Sequence, residues 1–199
     1  GDVKCRKMWE IHAKALKKHL FRETMHGGYF TRADMLSGRE TRSLYGALEA
    51  YYAGLLALSG DVSTASEVQD GNFHMWTAFN MEPEEFNFMT GAVTHPGYPL
   101  RPENIESCFY LYRLTGEKKY LSMGRRMTAD ILTYCRTEAG YAAITDVRTL
   151  TLTDMMESFF FAETIKYAYL LNAPNKVADL KKVVFTTEAH PMQINCDRK

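Results

Sequence analysis

The spacing of apolar residues divides the 199-residue chain into helical stretches punctuated by glycine and proline. Met8, Ile11, Ala15, Leu16 and Leu20 recur near a 3.6-residue period with lysines opposite, which predicts a helix over Lys4–Phe21. Gly27-Gly28 ends it, and Tyr29–Ala33 with a return through Gly38 predicts a short hairpin. Leu44, Leu48, Tyr51, Tyr52, Leu55 and Leu58 predict a second helix over Leu44–Ser59. Ser59-Gly60-Asp61 closes that helix and opens another to Phe79. Thr115-Gly116-Glu117 repeats the device between helices over Pro102–Thr115 and Lys118–Arg136. In each joint a glycine ends one helix, and an acid favours the positive end of the next. Two such joints predict stacked helical hairpins, either an open solenoid or a closed α/α toroid. Further on, Gly140–Ile144 reads as extended and Asp154–Asn172 as the longest apolar helix, with Asp154 and Glu157 placed as N-cap and N3 of a capping box. Val183–Thr187 reads as a short strand and Glu188–Pro191 as a turn.

Composition narrows the class. A 46% hydrophobic content over this length supplies one sizeable core. Lys+Arg 24 against Asp+Glu 24 leaves no basic excess of the kind nucleic-acid binding uses. No apolar run approaches the roughly 18 residues of a membrane helix. Gly1-Asp2-Val3-Lys4-Cys5 does not read as a signal peptide, so a secretory address is expected upstream or already removed. Cys5, Cys108, Cys135 and Cys196 are too widely spaced for a zinc site; their even number permits two disulfides in any of three pairings, although Cys108 lies among apolar residues as a buried thiol would. His12 and His19 have no partner placed to complete a metal site and read as surface residues.

The candidate chemistry concentrates after Pro99. Two closely spaced prolines cannot lie inside one helix, but Pro102 suits a first helical position, which puts Glu103 in the first turn with Glu106 on the same face. The helix dipole, free N–H groups and Arg101 all favour an ionised Glu103, suited to be a base or a fixed negative charge. Acids are common in first turns for stability alone, and that reading stands beside the catalytic one. The long connection from Glu82 to Gly97 delivers the chain to this segment, as functional loops do. Glu163 lies mid-helix among apolar neighbours, where an unpaired carboxylate is costly. Phe159, four residues earlier, would pair an aromatic ring with that acid on one face, an arrangement that grips sugars but also one that simply packs cores. Thr187 offers a hydroxyl and a carbonyl oxygen, hard donors suited to Ca²⁺.

Three ordered segments carry a resemblance: Gly97-Tyr98-Pro99-Leu100-Arg101-Pro102-Glu103 with Ile105-Glu106-Ser107; Met156-Glu157-Ser158-Phe159-Phe160-Phe161-Ala162-Glu163-Thr164 with Lys166-Tyr167; and Phe185-Thr186-Thr187-Glu188-Ala189-His190-Pro191. Together they resemble the class I α-1,2-mannosidase family (glycoside hydrolase family 47), in particular its ER-degradation-enhancing branch. The resemblance implies an all-α fold, an (α/α)7 barrel plugged by a C-terminal β-hairpin, of which residues 1–199 form the C-terminal part of one domain. It implies Glu103 as the catalytic base, Arg101, Glu106, Phe159, Glu163 and Glu188 around the sugar, and Thr187 as ligand to Ca²⁺. The implied reaction is inverting removal of terminal mannose from N-glycans of misfolded glycoproteins in the ER lumen. The implied partners are high-mannose N-glycans, the N-terminal remainder of the domain and a protein disulfide isomerase-type oxidoreductase, with no nucleic acid and no membrane span. Two positions depart from the family pattern: Gly46 stands where the family carries an acid, and Met155 where it carries an arginine. The family's general-acid hairpin has no counterpart in this sequence. Such departures also suit a second reading, a module that binds mannose glycans without turnover. A third is a purely structural helical scaffold. Part of a ring would leave apolar hairpin faces open, so the isolated 199 residues are expected to lack a reversible two-state thermal transition, which calorimetry would check.

Overall fold

The computed structural model of the chain describes residues 2–194. Helix α1 (Val3–Leu20) leads into a hairpin of β1 (Phe21–Thr24) and β2 (Gly27–Phe30), then a second of β3 (Arg32–Ala33) and β4 (Glu40–Arg42). Strand β5 (Leu44–Gly46) and a 3₁₀ turn over Ala47–Ala50 precede α2 (Tyr51–Ser59) and α3 (Val62–Thr77). Strands β6 (Glu85–Asn87) and β7 (Val93–His95) complete a three-stranded antiparallel sheet with β5. The second helical hairpin is α4 (Glu103–Thr115) and α5 (Lys118–Tyr134), followed by the hairpin β8 (Ala143–Asp146) and β9 (Thr151–Thr153). A π-turn over Phe160–Thr164 runs into α6 (Ile165–Asn172), and β10 (Val183–Phe185) pairs with β11 (Pro191–Gln193).

Both glycine joints form as the sequence predicts. Gly60 at φ 97° and Gly116 at φ 75° cap α2 and α4 in the left-handed region, which glycine enters without a Cβ penalty. Asp61 then accepts from the Thr64 backbone N–H as N-cap of α3, whereas Glu117 makes no such side-chain bond at the start of α5. Helix α4 is central: it packs against α2, α3, α5 and α6 and buries Ile105, Cys108, Phe109 and Leu111. Gly124 of α5 admits Leu171 of α6, whose Cδ2 would lie 2.2 Å from an added Cβ.

Several sequence expectations need correction. The chain is not purely helical, since short antiparallel sheets join the helices. Leu44–Ser59 is not one helix: Leu44-Tyr45-Gly46 pairs with Asn87-Phe86-Glu85, and ladder hydrogen bonds override the apolar period there. Asp154–Asn172 is not one helix either. The β8–β9 hairpin holds the chain extended through Thr153, no capping box forms at Asp154 and Glu157, and helical structure begins at the aromatic cluster. The strand expected over Val183–Thr187 ends at Phe185, leaving Thr187 in the turn. Gly27-Gly28, expected to end the first helix, opens β2, and that helix already ends at Leu20. Among the described residues Cys108 and Cys135 are buried free thiols and no disulfide forms; Cys196 lies outside those residues. His12 and His19 are exposed on α1, as expected. The apolar stripe of α1 is not covered, with Met8 53% and Ile11 68% exposed, and Lys17 ties the helix to Asp61 at 3.0 Å.

A buried polar tier crosses the helices beneath the Pro99 segment. Tyr45 donates to Asn72 (2.8 Å), Asn72 to Gln69 (3.2 Å), Gln69 to Asn104 (2.8 Å) and Asn104 to Glu82 (2.8 Å). Burial holds the Glu82 carboxyl well above the usual carboxylate range, and its Oε1 has no partner. The tier links β5, α3, α4 and the loop after α3, and so locks the base of the segment that carries Arg101 and Glu103.

Candidate active site

The site is assembled from three parts of the chain. Pro102 caps α4, its φ of −89° and missing N–H suited to the first turn, and Glu103 and Glu106 follow in that turn. The π-turn supplies Glu163, and the β10–β11 turn supplies Thr186 and Thr187. Glu103, Glu106, Glu163 and Thr187 line one cleft of about 480 Å³ together with Tyr110, Phe185 and the α2 side chains Tyr51, Leu55 and Leu58. The acids and the threonine singled out in the sequence therefore converge, although 60 to 84 residues separate Glu103 from Glu163 and Thr187.

The other three candidates stand behind that lining. Arg101 makes a two-pronged ion pair with Glu84, Nε to Oε1 at 2.7 Å and a second bond at 2.9 Å, and lies 4.0 Å from Glu103. Its guanidinium sits over the Phe159 ring at 5.6 Å. Phe159 thus faces Arg101 and does not line the cleft. The expectation of one α-helical face shared by Phe159 and Glu163 fails because the π-turn intervenes. Glu188 is exposed in the turn, close enough to Glu163 for its charge to raise the Glu163 carboxyl. Lys166 donates to the Ala189 carbonyl at 2.8 Å and so fastens that turn to the start of α6.

Electrostatics overturn one expectation. Burial pushes the Glu103 carboxyl up to about 7, against the opposing pull of its own backbone N–H and of Arg101, with the Glu163 charge adding to the rise. Helix dipole and arginine were expected to keep it ionised. Desolvation wins because Arg101 is already paired with Glu84 and Glu103 Oε2 is buried with no hydrogen-bond partner. Burial likewise lifts Glu106 to about 7, although Tyr167 donates to its Oε1 at 2.9 Å. Glu163 is raised by burial and then by Glu188.

Sequence reading missed Glu84 and Tyr167. Glu84 follows Pro83 in the connection already marked as functional by its length, and an unclaimed acid there is the natural partner for Arg101. Tyr167 is fully buried with its hydroxyl on Glu106, a contact visible only once α4 and α6 pack. Gly46 is also clearer. A Cβ there would lie 2.5 Å from Glu49 Oε2 and 3.0 Å from the Glu84 carbonyl, so the Glu49 carboxylate, held by Arg32 at 2.9 Å, fills the space of a side chain at 46. Gly46→Asp is expected to lower the melting temperature, and Glu49→Ala in the same chain to restore part of the loss; thermal denaturation of the two variants checks this.

A cleft of paired carboxylates beside hard oxygen donors is the chemistry of glycoside hydrolysis. Residues 1–194 match the profile described as Glycosyl hydrolase family 47, and the chain belongs to that family. Within it the chain is similar to the ER degradation-enhancing mannosidase-like proteins. Identity is 40% over 172 residues to Alpha-mannosidase I MNS5 of Arabidopsis thaliana, covering 85% of this chain and 30% of that protein. It is 34% over 212 residues to human ER degradation-enhancing alpha-mannosidase-like protein 2, covering 96% and 36%. The fold superposes on the solved alpha-1,2-mannosidase from Trichoderma reesei, an α/α-barrel protein, with a TM-score of 0.86 and 29% identity over 94% of this chain and 47% of that one. The chain spans less than half the length of these relatives.

Proposed function

We propose that this chain supplies the base-bearing side of an α-1,2-mannosidase that trims terminal mannose from high-mannose N-glycans in the ER lumen for glycoprotein degradation. The observation that carries the reading is the convergence of Glu103, Glu106, Glu163 and Thr187 on one cleft. Relatives named ER degradation-enhancing alpha-mannosidase-like and Mannosyl-oligosaccharide 1,2-alpha-mannosidase support the substrate class and compartment.

In this reading Glu103, once ionised, takes a proton from a water on the far side of the sugar ring, as in inverting hydrolysis. A buried carboxyl near 7 suits that task, since a base is most effective when its pKa lies near the working pH. Glu106 and Glu163, whose carboxyls burial also raises, hydrogen-bond to sugar hydroxyls, and Glu84 keeps Arg101 fixed behind Glu103. Calcium fits the turn: Thr187 offers hard oxygens into a cleft that also holds the unpaired Glu103 Oε2. Among the described residues no three His, Cys, Asp or Glu side chains cluster for direct chelation, so water and sugar hydroxyls would complete the shell around Thr187. Bound there, Ca²⁺ would orient the mannose and offset the charge of the acids. The reading includes a protein disulfide isomerase-type partner, to which, among the described thiols, Cys5 is exposed while Cys108 and Cys135 are buried.

The test is mannose release from a high-mannose glycan by the complete protein carrying this region, with and without EDTA. Release abolished by EDTA and restored by Ca²⁺ is expected; release indifferent to chelation removes the calcium role. Gly46 favours a second reading, glycan binding without turnover. Calorimetric binding with no product on long incubation would select it.

A further inference from the structure

We propose that Thr164 is a positioning residue, whose hydroxyl holds the Leu100 backbone and so fixes the segment bearing Arg101 and Glu103 against the one bearing Glu163. The proposal rests on the site reading above.

Leu100 has φ 66°, a left-handed conformation uncommon for a side chain of its shape, and it is fully buried. Such residues persist only where the surroundings hold them. The holding contact is a 2.6 Å hydrogen bond from Thr164 Oγ1 to the Leu100 carbonyl, buried at both ends. Several other helical threonine hydroxyls turn back on their own backbone. Thr115 donates to Leu111, Thr128 to Gly124 and Thr133 to Ala129, each four residues earlier. Thr164 lies where the π-turn meets α6, and its hydroxyl reaches across to another segment. π-turns often mark functional positions.

The placement explains why this bond matters to the site. Leu100 immediately precedes Arg101, and Glu163 immediately precedes Thr164. Among the described residues it is the one hydrogen bond joining residues 99–103 to residues 157–164. Tyr98 supports the same bend from the other side, its hydroxyl donating to the Arg101 carbonyl at 3.1 Å and its backbone pairing with Ile144. Without the Thr164 bond, Leu100 has a buried carbonyl without its donor and a costly φ with less to hold it. The chain entering Pro102 would then relax, shifting Glu103 relative to Glu163.

The experiment compares Thr164→Val, which keeps the shape and removes the hydroxyl, with Thr164→Ser, which keeps the hydroxyl, in the complete protein. Hydrogen exchange of the peptide spanning residues 97–106 is expected to quicken about tenfold in the valine variant and not in the serine variant. In mannose release, Thr164→Val should lower kcat about tenfold with KM within about twofold, as a small misplacement of reacting groups does. Unchanged exchange in Thr164→Val, a wild-type kcat in that variant, or serine behaving like valine would each overturn the proposal. A wild-type protein that releases no mannose would instead defeat the functional reading, while the exchange comparison still decides whether the tie exists.

Discussion

Glu103→Gln is expected to lower mannose release by the complete protein by roughly 10²–10⁴-fold, the usual contribution of a general base, with little change in KM. The amide matches the carboxyl in size, sits over the same polar tier and removes only the ability to accept a proton. The side chain is 14% exposed and its Oε2 has no hydrogen-bond partner. Glycan binding measured by calorimetry should survive, which separates lost proton transfer from lost folding. Wild-type release should rise with pH through about 7 as Glu103 loses its proton. Full activity in the glutamine variant would remove Glu103 from the base role and leave the convergence of acids without a mechanism.

The second large effect is on stability. In the folded protein without calcium, Glu103 and Glu106 hold their protons up to about 7, against the ordinary 4.5. Below about 4.5 the folded and unfolded chains both carry these protons, and the stabilisation is fully present. Between that value and about 7 the unfolded chain releases them while the folded chain does not, so stability falls as pH rises and levels off above 7. Each group contributes roughly 3 kcal/mol to the fall, taken at 1.36 kcal/mol per unit, and the two are not additive because their charges interact. Denaturant midpoints of the complete protein in EDTA at pH 5, 6 and 8 should decline, and Glu106→Gln should flatten the decline. A midpoint that rises with pH over that interval would show that the acids are ionised in the folded chain, as Arg101 and the helix dipole alone would have made them.

How far the sequence reveals this depends on whether a feature is local. The glycine joints at Gly60 and Gly116 are legible because a left-handed cap is decided by a few neighbouring atoms. The start of α4 at Pro102 is legible for the same reason. Thr187, Glu163 and Glu103 could be singled out by the residue types and order of their segments. The boundary near Leu44 is not legible, because the partner strand lies more than 40 residues away and the apolar spacing suits a helix equally well. The π-turn at Phe160–Thr164 leaves no period to read, since it departs from the helix by a single residue. The ionisation of Glu103 is not legible, because local groups are visible in sequence and desolvation is not. The pairing of Glu84 with Arg101 is not legible for a related reason: only the packed loop brings the carboxylate to the guanidinium.

The tier from Tyr45 through Asn72, Gln69 and Asn104 to Glu82 carries a consequence for how this protein can diverge. Each member is hidden from water, and losing any one strands its neighbours, at about 1–3 kcal/mol per orphaned group. Single replacements are thus penalised although an all-apolar set of similar volume could fit. Lineages carrying this floor should inherit its members together or exchange them together.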